Sequence, residues 1–322
     1  VVKRDPIKVK HRILKFVREQ NIILVLIAVI IFLSIFVPSF LNLRNLLNIL
    51  KQVTVIGIIA CGFTLVIING DLDLSVGSLF SLTGVVAISL QSRGLFISVI
   101  ATLCVAIVVG IINGFITTKF NISSIIVTLG MLSVLGGTAL IYTGGYNLLG
   151  DPESVYSVIS KGSILGLPNH IIIFVIITII ISFLLRRTVF GRNIYLIGTN
   201  KDAAKIAGIK VSRVRIAAFV ISALCVAIAS IVQSSRISSA SPVAGVGYEF
   251  DAITVVLVGG TSFFGGKGSI YKTILGTLLI AILINGMILF DLPFAFQSVM
   301  KGSLILIAMF VSVKTMSIKR GG

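Results

Sequence analysis

The sequence predicts an all-α polytopic membrane protein of about ten transmembrane helices, with both termini cytoplasmic. Three observations carry that prediction. Of the 322 residues, 57% are hydrophobic and 11% charged, against roughly 45–50% and about 25% in soluble domains. Apolar runs recur on the roughly 20-residue ruler of a bilayer-crossing helix. Basic residues concentrate in alternate connections, the pattern that orients a multi-span chain.

The runs place spans near residues 21–37, 47–68, 74–91, 95–117, 122–142, 169–185, 214–232, 251–265, 270–290 and 294–313. The first is long and no small-residue cleavage site follows it, so it reads as a retained helix rather than a signal peptide. The eighth is the weakest: "VVLVGGTSFFGGKGS" is short and broken by glycines. It is either a full span or a half-helix with a re-entrant turn, which is permitted only where protein or water covers the freed backbone. Cys61, Cys104 and Cys225 lie far apart in apolar runs and show neither disulfide nor metal spacing. Tryptophan is absent, which leaves tyrosine and phenylalanine to form any interfacial belt.

Charge sets the topology. Lys3, Arg4, Lys8, Lys10, Arg12, Lys15 and Arg18 precede the first span. Arg186, Arg187, Arg192, Lys201, Lys205, Lys210, Arg213 and Arg215 follow the sixth, and Lys314, Lys319 and Arg320 close the chain. The opposite connections carry only Arg44, Arg93, Lys161 and Arg236. With ten spans all three basic segments fall on the cytoplasmic side. The expected organisation is a basic N-terminal segment (1–20), a transmembrane domain (21–315) with a cytoplasmic loop at 186–215, and a short tail (316–322). The net charge of +17 then reflects topology and anionic lipid. No aromatic-interleaved basic patch points to nucleic acid.

The chain carries no engine of its own. The nearest approach to a phosphate-binding loop, "TSFFGGKGS", has Thr261 where a glycine is needed and Gly268 where Ser or Thr must reach magnesium. His11 and His170 are isolated, so neither a zinc motif nor a nucleophile–base set exists and an enzyme is not expected. Energy must come from an ion gradient, a substrate gradient or a partner ATPase. In "DLDLSVGS", Asp71 and Asp73 interrupt an otherwise uncharged stretch. Asp73 is placed to cap the third span, where a carboxylate complements the first-turn N–H groups; the competing role is ion binding. No acid is expected in mid-span, which argues against proton or sodium coupling. "GYEFDAITVVLVGG" repeats the order acid, apolar residue, Asp, apolar helix. With an offset of five spans the second copy would be inverted, so the echo is either chance or an inverted repeat of the kind found in transporters.

The loop 186–215 looks ordered. In "NKDAAKIAGIK", Asn200 caps a short helix through Ala203, Ala204, Ile206 and Ala207, and Gly208 stops it. Such a helix is either an amphipathic connector on lipid or a coupling helix that docks on a cytosolic ATPase.

Several segments in order, "DLDLSVGSLFSLTG", "NGFITTKFNISSIIVTLGMLSVLGG", "GRNIYLIGTNKDAAKIAGIK", "SRISSASPVAGVGYEFDAITVVLVGGTSFFGGKGS" and "GTLLIAILINGM", resemble the permease subunits of bacterial sugar ABC importers. The ribose branch is nearest, with xylose, arabinose, galactose and autoinducer permeases as relatives. The resemblance implies a second permease subunit (an identical copy or a close paralogue), a cytosolic ATPase with two nucleotide-binding halves, and a soluble sugar-binding protein. ATP and magnesium would sit on the ATPase, and this chain would bind no cofactor. Carried over by position, Gly191, Arg192, Gly198, Asn200, Lys201, Ala203, Ala204 and Gly208 would contact the ATPase. Arg236, Gly247, Tyr248 and Glu249 would face the binding protein. Asp71 departs from the family, which commonly has glycine there, and the serines of "NISSIIVTLG" stand where relatives often carry proline or other residues. A nucleoside ABC permease and a partner-free carrier or facilitator are the alternatives.

Overall fold

The structure, a computed structural model, describes residues 21–320; the basic segment 1–20 lies outside the described residues. It is helical throughout apart from two short strand pairs. Helix α1 (Asn21–Phe36) is followed by α2 (Leu43–Ile68), α3 (Val76–Ser89), α4 (Leu95–Lys119) and α5 (Ser124–Thr143). A small cap comes next: β1 (Leu148–Leu149), α6 (Val158–Lys161), β2 (Ser163–Ile164) and β3 (Leu167–Pro168). Then come α7 (Asn169–Arg187), α8 (Val189–Thr199), α9 (Lys201–Ile206), α10 (Val211–Ile237), β4 (Ser239–Ala240), α11 (Tyr248–Val258), α12 (Ile270–Leu289) and α13 (Phe294–Arg320).

Six of these helices, α2, α4, α5, α7, α10 and α12, are long and apolar enough to cross a membrane; the apolar stretches of α1, α3 and α13 are shorter. The third expected span is shorter than expected, and the eighth takes the half-helix alternative. The third is a helix of 14 residues and the eighth one of 11, about 21 Å and 16 Å long at 1.5 Å per residue. Neither crosses the ~30 Å hydrocarbon layer alone. Hydropathy had extended both, because the backbone leading into α3 and out of α11 is apolar without being helical.

The core is built on α2 and α10, which pack on each other and are enclosed by the rest. Gly62 of α2 lies against Ser222 and Cys225 of α10, and Gly110 and Gly114 of α4 let that helix approach the α10 backbone at Val220 and Ile216. Small residues do this where lipid supplies no hydrophobic drive between helices. Buried polar pairs then fix the register. Thr64 and Thr273 hydroxyls meet at 2.8 Å, as do Thr83 and Ser230, and Asn45 and Asn285 exchange amide hydrogen bonds at 3.0 and 2.8 Å.

The packing divides into two matching halves. Short α3 packs on α4 and α5, and short α11 packs on α12 and α13. Each short helix also packs on the other half's long central helix, α3 on α10 and α11 on α2. The flanking helices break the match: α1 packs on α12, whereas α7 packs on α2. Strands β1 and β4 pair antiparallel, Leu148 opposite Ala240 and Leu149 opposite Ser239. This joins the cap to the segment entering α11. Tyr156 anchors the cap, its hydroxyl 2.7 Å from Ser234 Oγ.

Candidate functional site

Two non-helical backbone segments, each leading into a short helix, define the centre of the molecule. The first leaves α2 through a turn at Gly70 (φ 84°), runs past Asp71 to Leu74 and enters α3. Its amides are satisfied by side chains of α5: Leu72 N–H donates to Ser124 Oγ (3.0 Å) and Leu74 N–H to Thr128 Oγ1 (2.9 Å). Freed backbone inside a membrane protein needs such partners. Asp73 Oδ1 accepts from the Ser75 N–H (2.9 Å) and the Ser75 hydroxyl (2.5 Å). Ser75, to which Asn113 Nδ2 also donates at 2.9 Å, occupies the N-cap position, so Asp73 fixes the turn ahead of α3 and does not bond the amides of its first turn.

Asp71 is buried and makes a two-pronged ion pair with Arg215, the fifth residue of α10. Nε donates to Oδ2 at 2.9 Å and the other prong joins the guanidinium to Oδ1. The second segment starts where α10 ends, at Ser238 (φ 51°), and descends to Tyr248. Its Gly245 N–H donates to Ser81 Oγ of α3 (2.9 Å), and the Tyr248 and Phe80 rings meet edge to face at 4.8 Å.

The two segments cross at Gly77 and Gly245. A Cβ on Gly77 would collide with the Gly245 carbonyl oxygen and with Glu249 Oε2; a Cβ on Gly245 would collide with the Gly77 carbonyl oxygen. Only glycine allows this reciprocal contact. Its depth follows from α10: Arg215 holds Asp71 near one end of that helix and Ser230 holds Thr83 near the other, with Gly77 between them in the chain. The N-terminus of α11 meets that of α3 about midway along α10, and both present positive helix ends there.

This geometry corrects three expectations. Glu249 is buried against Gly77, so it offers no outer surface to a partner, whereas Tyr248 and Arg236 are half-buried and line cavities, Arg236 donating to Gln233 Oε1 at 2.6 Å. Acids do lie at depth: Asp251, also buried, pairs with Lys301 of α13 at 2.7 Å. The echo between the two acidic motifs is out of register, since Asp71 and Asp73 precede α3 while Glu249 and Asp251 lie within the first turn of α11. The structural repeat is of short helices, and the acids do not correspond.

A second constellation lies at the Arg215 end of α10. Gly198 on α8 faces the Ile68 carbonyl and the Gly266 amide so closely that any Cβ would collide. Gly266 N–H donates to Ile68 O (2.8 Å), and the Tyr195 hydroxyl donates to Gly268 O (2.7 Å). Helix α8 is thus seated on both the turn after α2 and the loop after α11. Gly191 packs against the carbonyls of Leu184 and Leu185, and Asn200 Oδ1 caps α9 by accepting from Asp202 and Ala203 N–H (3.0 Å each). Ala204 is buried, Lys201 Nζ donates to Asn121 Oδ1 (3.0 Å), and Gly208 takes φ 79°. Burial and the neighbouring Arg215 charge push the Lys201 ammonium below its usual pKa. Arg192, Leu196, Ala203 and Ile206 are exposed. The sequence reading missed Tyr195 and Leu196; the spacing Arg192, Leu196, Thr199 (i, i+4, i+7) would have marked one face of α8.

Comparison with known proteins places the chain among transport proteins. Residues 45–309 match the family described as branched-chain amino acid transport system / permease component. The ribose import permease of Haemophilus influenzae is 38% identical over 299 residues, covering 91% of this chain and 93% of that protein. The Bacillus subtilis ribose import permease is 39% identical, covering 90% and 91%. The L-arabinose ABC transporter permease of Azospirillum brasilense is 32% identical, covering 94% and 90%. No solved structure matches.

Proposed function

The chain belongs to the branched-chain amino acid transport system / permease component family, and within it to the ribose-type sugar permeases of ABC importers; from that premise we propose that it moves a monosaccharide, ribose first among candidates, through the bacterial inner membrane. It contributes ten membrane-inserted segments, two of them half-helices, with both termini, the 186–215 loop and the 316–322 tail cytoplasmic. A second permease subunit completes the channel, a soluble binding protein delivers the sugar, and a separate ATPase holds ATP and magnesium.

One observation carries the mechanism. Because α8 sits on the turn after α2 and on the loop after α11 through Gly198 and Tyr195, a displacement of α8 acts on the start of α3's lead-in and on the end of α11 at once. The exposed side chains of Arg192, Leu196, Ala203 and Ile206 supply the surface on which an ATPase pushes. Closure of the ATPase shifts α8 and α9, the Ile68–Gly70 and Gly265–Gly268 turns follow, and the helix ends meeting at Gly77 and Gly245 re-aim. No bond in the sugar is made or broken.

The test is reconstitution of this chain with its ATPase and binding protein in liposomes. Ribose is expected to stimulate ATP hydrolysis and to accumulate inside. Accumulation by the purified chain alone would replace this reading with a partner-free carrier, and stimulation by nucleosides but not by ribose would make it a nucleoside permease.

A further inference from the structure

Between α3, α10 and the segment that descends to α11 lies a cavity of about 180 Å³. Its floor is made of Ser81, Ser230 and Ser234, all buried, and its rim of Asn147, Ile237 and Ala244, all exposed. No carboxylate, ammonium, guanidinium or imidazole lines it. A neighbouring cavity of about 170 Å³, across Gln233 and Tyr248, is the opposite: Lys51, Arg236 and Asp251 line it. Polar but uncharged space buried beside a charged cavity selects for ligand chemistry. Serine hydroxyls donate and accept, and a carboxamide offers two donors and an acceptor. The Gln233 oxygen is engaged by Arg236, which directs the amide's role toward donation. Phe80 and Tyr248 close the inner side, and the Gly77–Gly245 crossing lies behind them. One water takes about 30 Å³ of liquid, so the cavity holds a molecule of roughly six waters' bulk.

The geometry points to this cavity as a holding site for a neutral monosaccharide on its way through the permease, entered past Asn147 and stopped by the Phe80–Tyr248 pair. The Ser230 and Ser234 hydroxyls are engaged within α10 and with Thr83 and Tyr156, so Ser81, Asn147, Gln233 and Tyr248 supply the uncharged polar groups a polyol can bond; an aromatic wall suits its C–H face, and the absence of charge gives no purchase to a carboxylate or phosphate. The inference rests on the sugar-permease reading and adds where, within one subunit, the sugar pauses.

The test uses the full complex in liposomes, with Cys61, Cys104 and Cys225 replaced and Ser239→Cys introduced at the cavity wall. Ribose is expected to slow labelling of Cys at 239 by a small hydrophilic maleimide, while gluconate, a charged polyol, does not. Gly84→Leu should fill the space, because even a Cβ there meets Ala240 and Ser230 at 3.9 Å. It is expected to cut ribose uptake by about tenfold, equivalent to ~1.4 kcal/mol, in protein that elutes and melts as the parent does. Labelling at one rate with and without ribose, or protection by gluconate as well, overturns the site. A parent complex that moves none of ribose, xylose or arabinose overturns the sugar reading beneath it instead.

Discussion

Asp71 and Arg215 are 144 positions apart in sequence and share one buried ion pair. Removing one partner strands the other charge away from water, which typically costs about 3–5 kcal/mol, whereas replacing both by apolar residues is often neutral. Arg215→Met is therefore expected to lower the melting temperature in detergent markedly, and Asp71→Leu combined with Arg215→Met to restore most of the loss. Equal melting of the single variant and the parent would remove the pair from the stabilising contacts. That these acids needed a reason was legible, since charge among apolar runs is rarely idle. The partner was not, because Arg215 sat among seven other basic residues in a loop and read as part of an orientation signal. Glu249 and Asp251 were misplaced for a related reason: a hydropathy window measures what a residue is beside, and cannot see that the backbone carries it inward before the helix begins.

The helices divide the same way. The long ones were legible to within a few residues because their apolar runs, flanking charges and stops coincide, and short α9 was legible from its cap at Asn200 and stop at Gly208. Helices α3 and α11 were overextended, since extended and helical backbone share the same apolar composition here. Their crossing gives a sharp expectation: Gly77→Ala and Gly245→Ala each drive a methyl group into a carbonyl oxygen. Each should cost about 1–3 kcal/mol or more, read as reduced yield of folded protein in detergent. Helix α8 tests differently. Gly198→Leu must push α8 off the Ile68 and Gly266 backbone, so ATP hydrolysis by the assembled complex should continue while uptake falls by about tenfold or more, a step of ~1.4 kcal/mol. Coupled uptake in that variant would mean that the drive enters elsewhere.

For the whole molecule, the membrane class was written in composition, and the basic asymmetry in the order of the residues. How the halves interlock was not, because the contacts that join them, Gly77 with Gly245, Thr83 with Ser230 and Asp71 with Arg215, pair residues whose local sequence says nothing of one another. The topology is open to direct measurement in a cysteine-free background. A cysteine at Ala203 should be labelled by an impermeant reagent only from the cytoplasmic side, and one at Leu165, which is 98% exposed, only from outside. The reverse pattern would turn the protein over and place α8 and α9 out of reach of any ATPase.

The pairing of Leu148–Leu149 with Ser239–Ala240 has a mechanical outcome. Backbone hydrogen bonds lash the exterior cap to the very strand whose continuation supplies Gly245 and Tyr248. A pull on the cap therefore reaches the Gly77–Gly245 crossing through the short run of turns between Ser241 and Tyr248, without any long helix having to tilt.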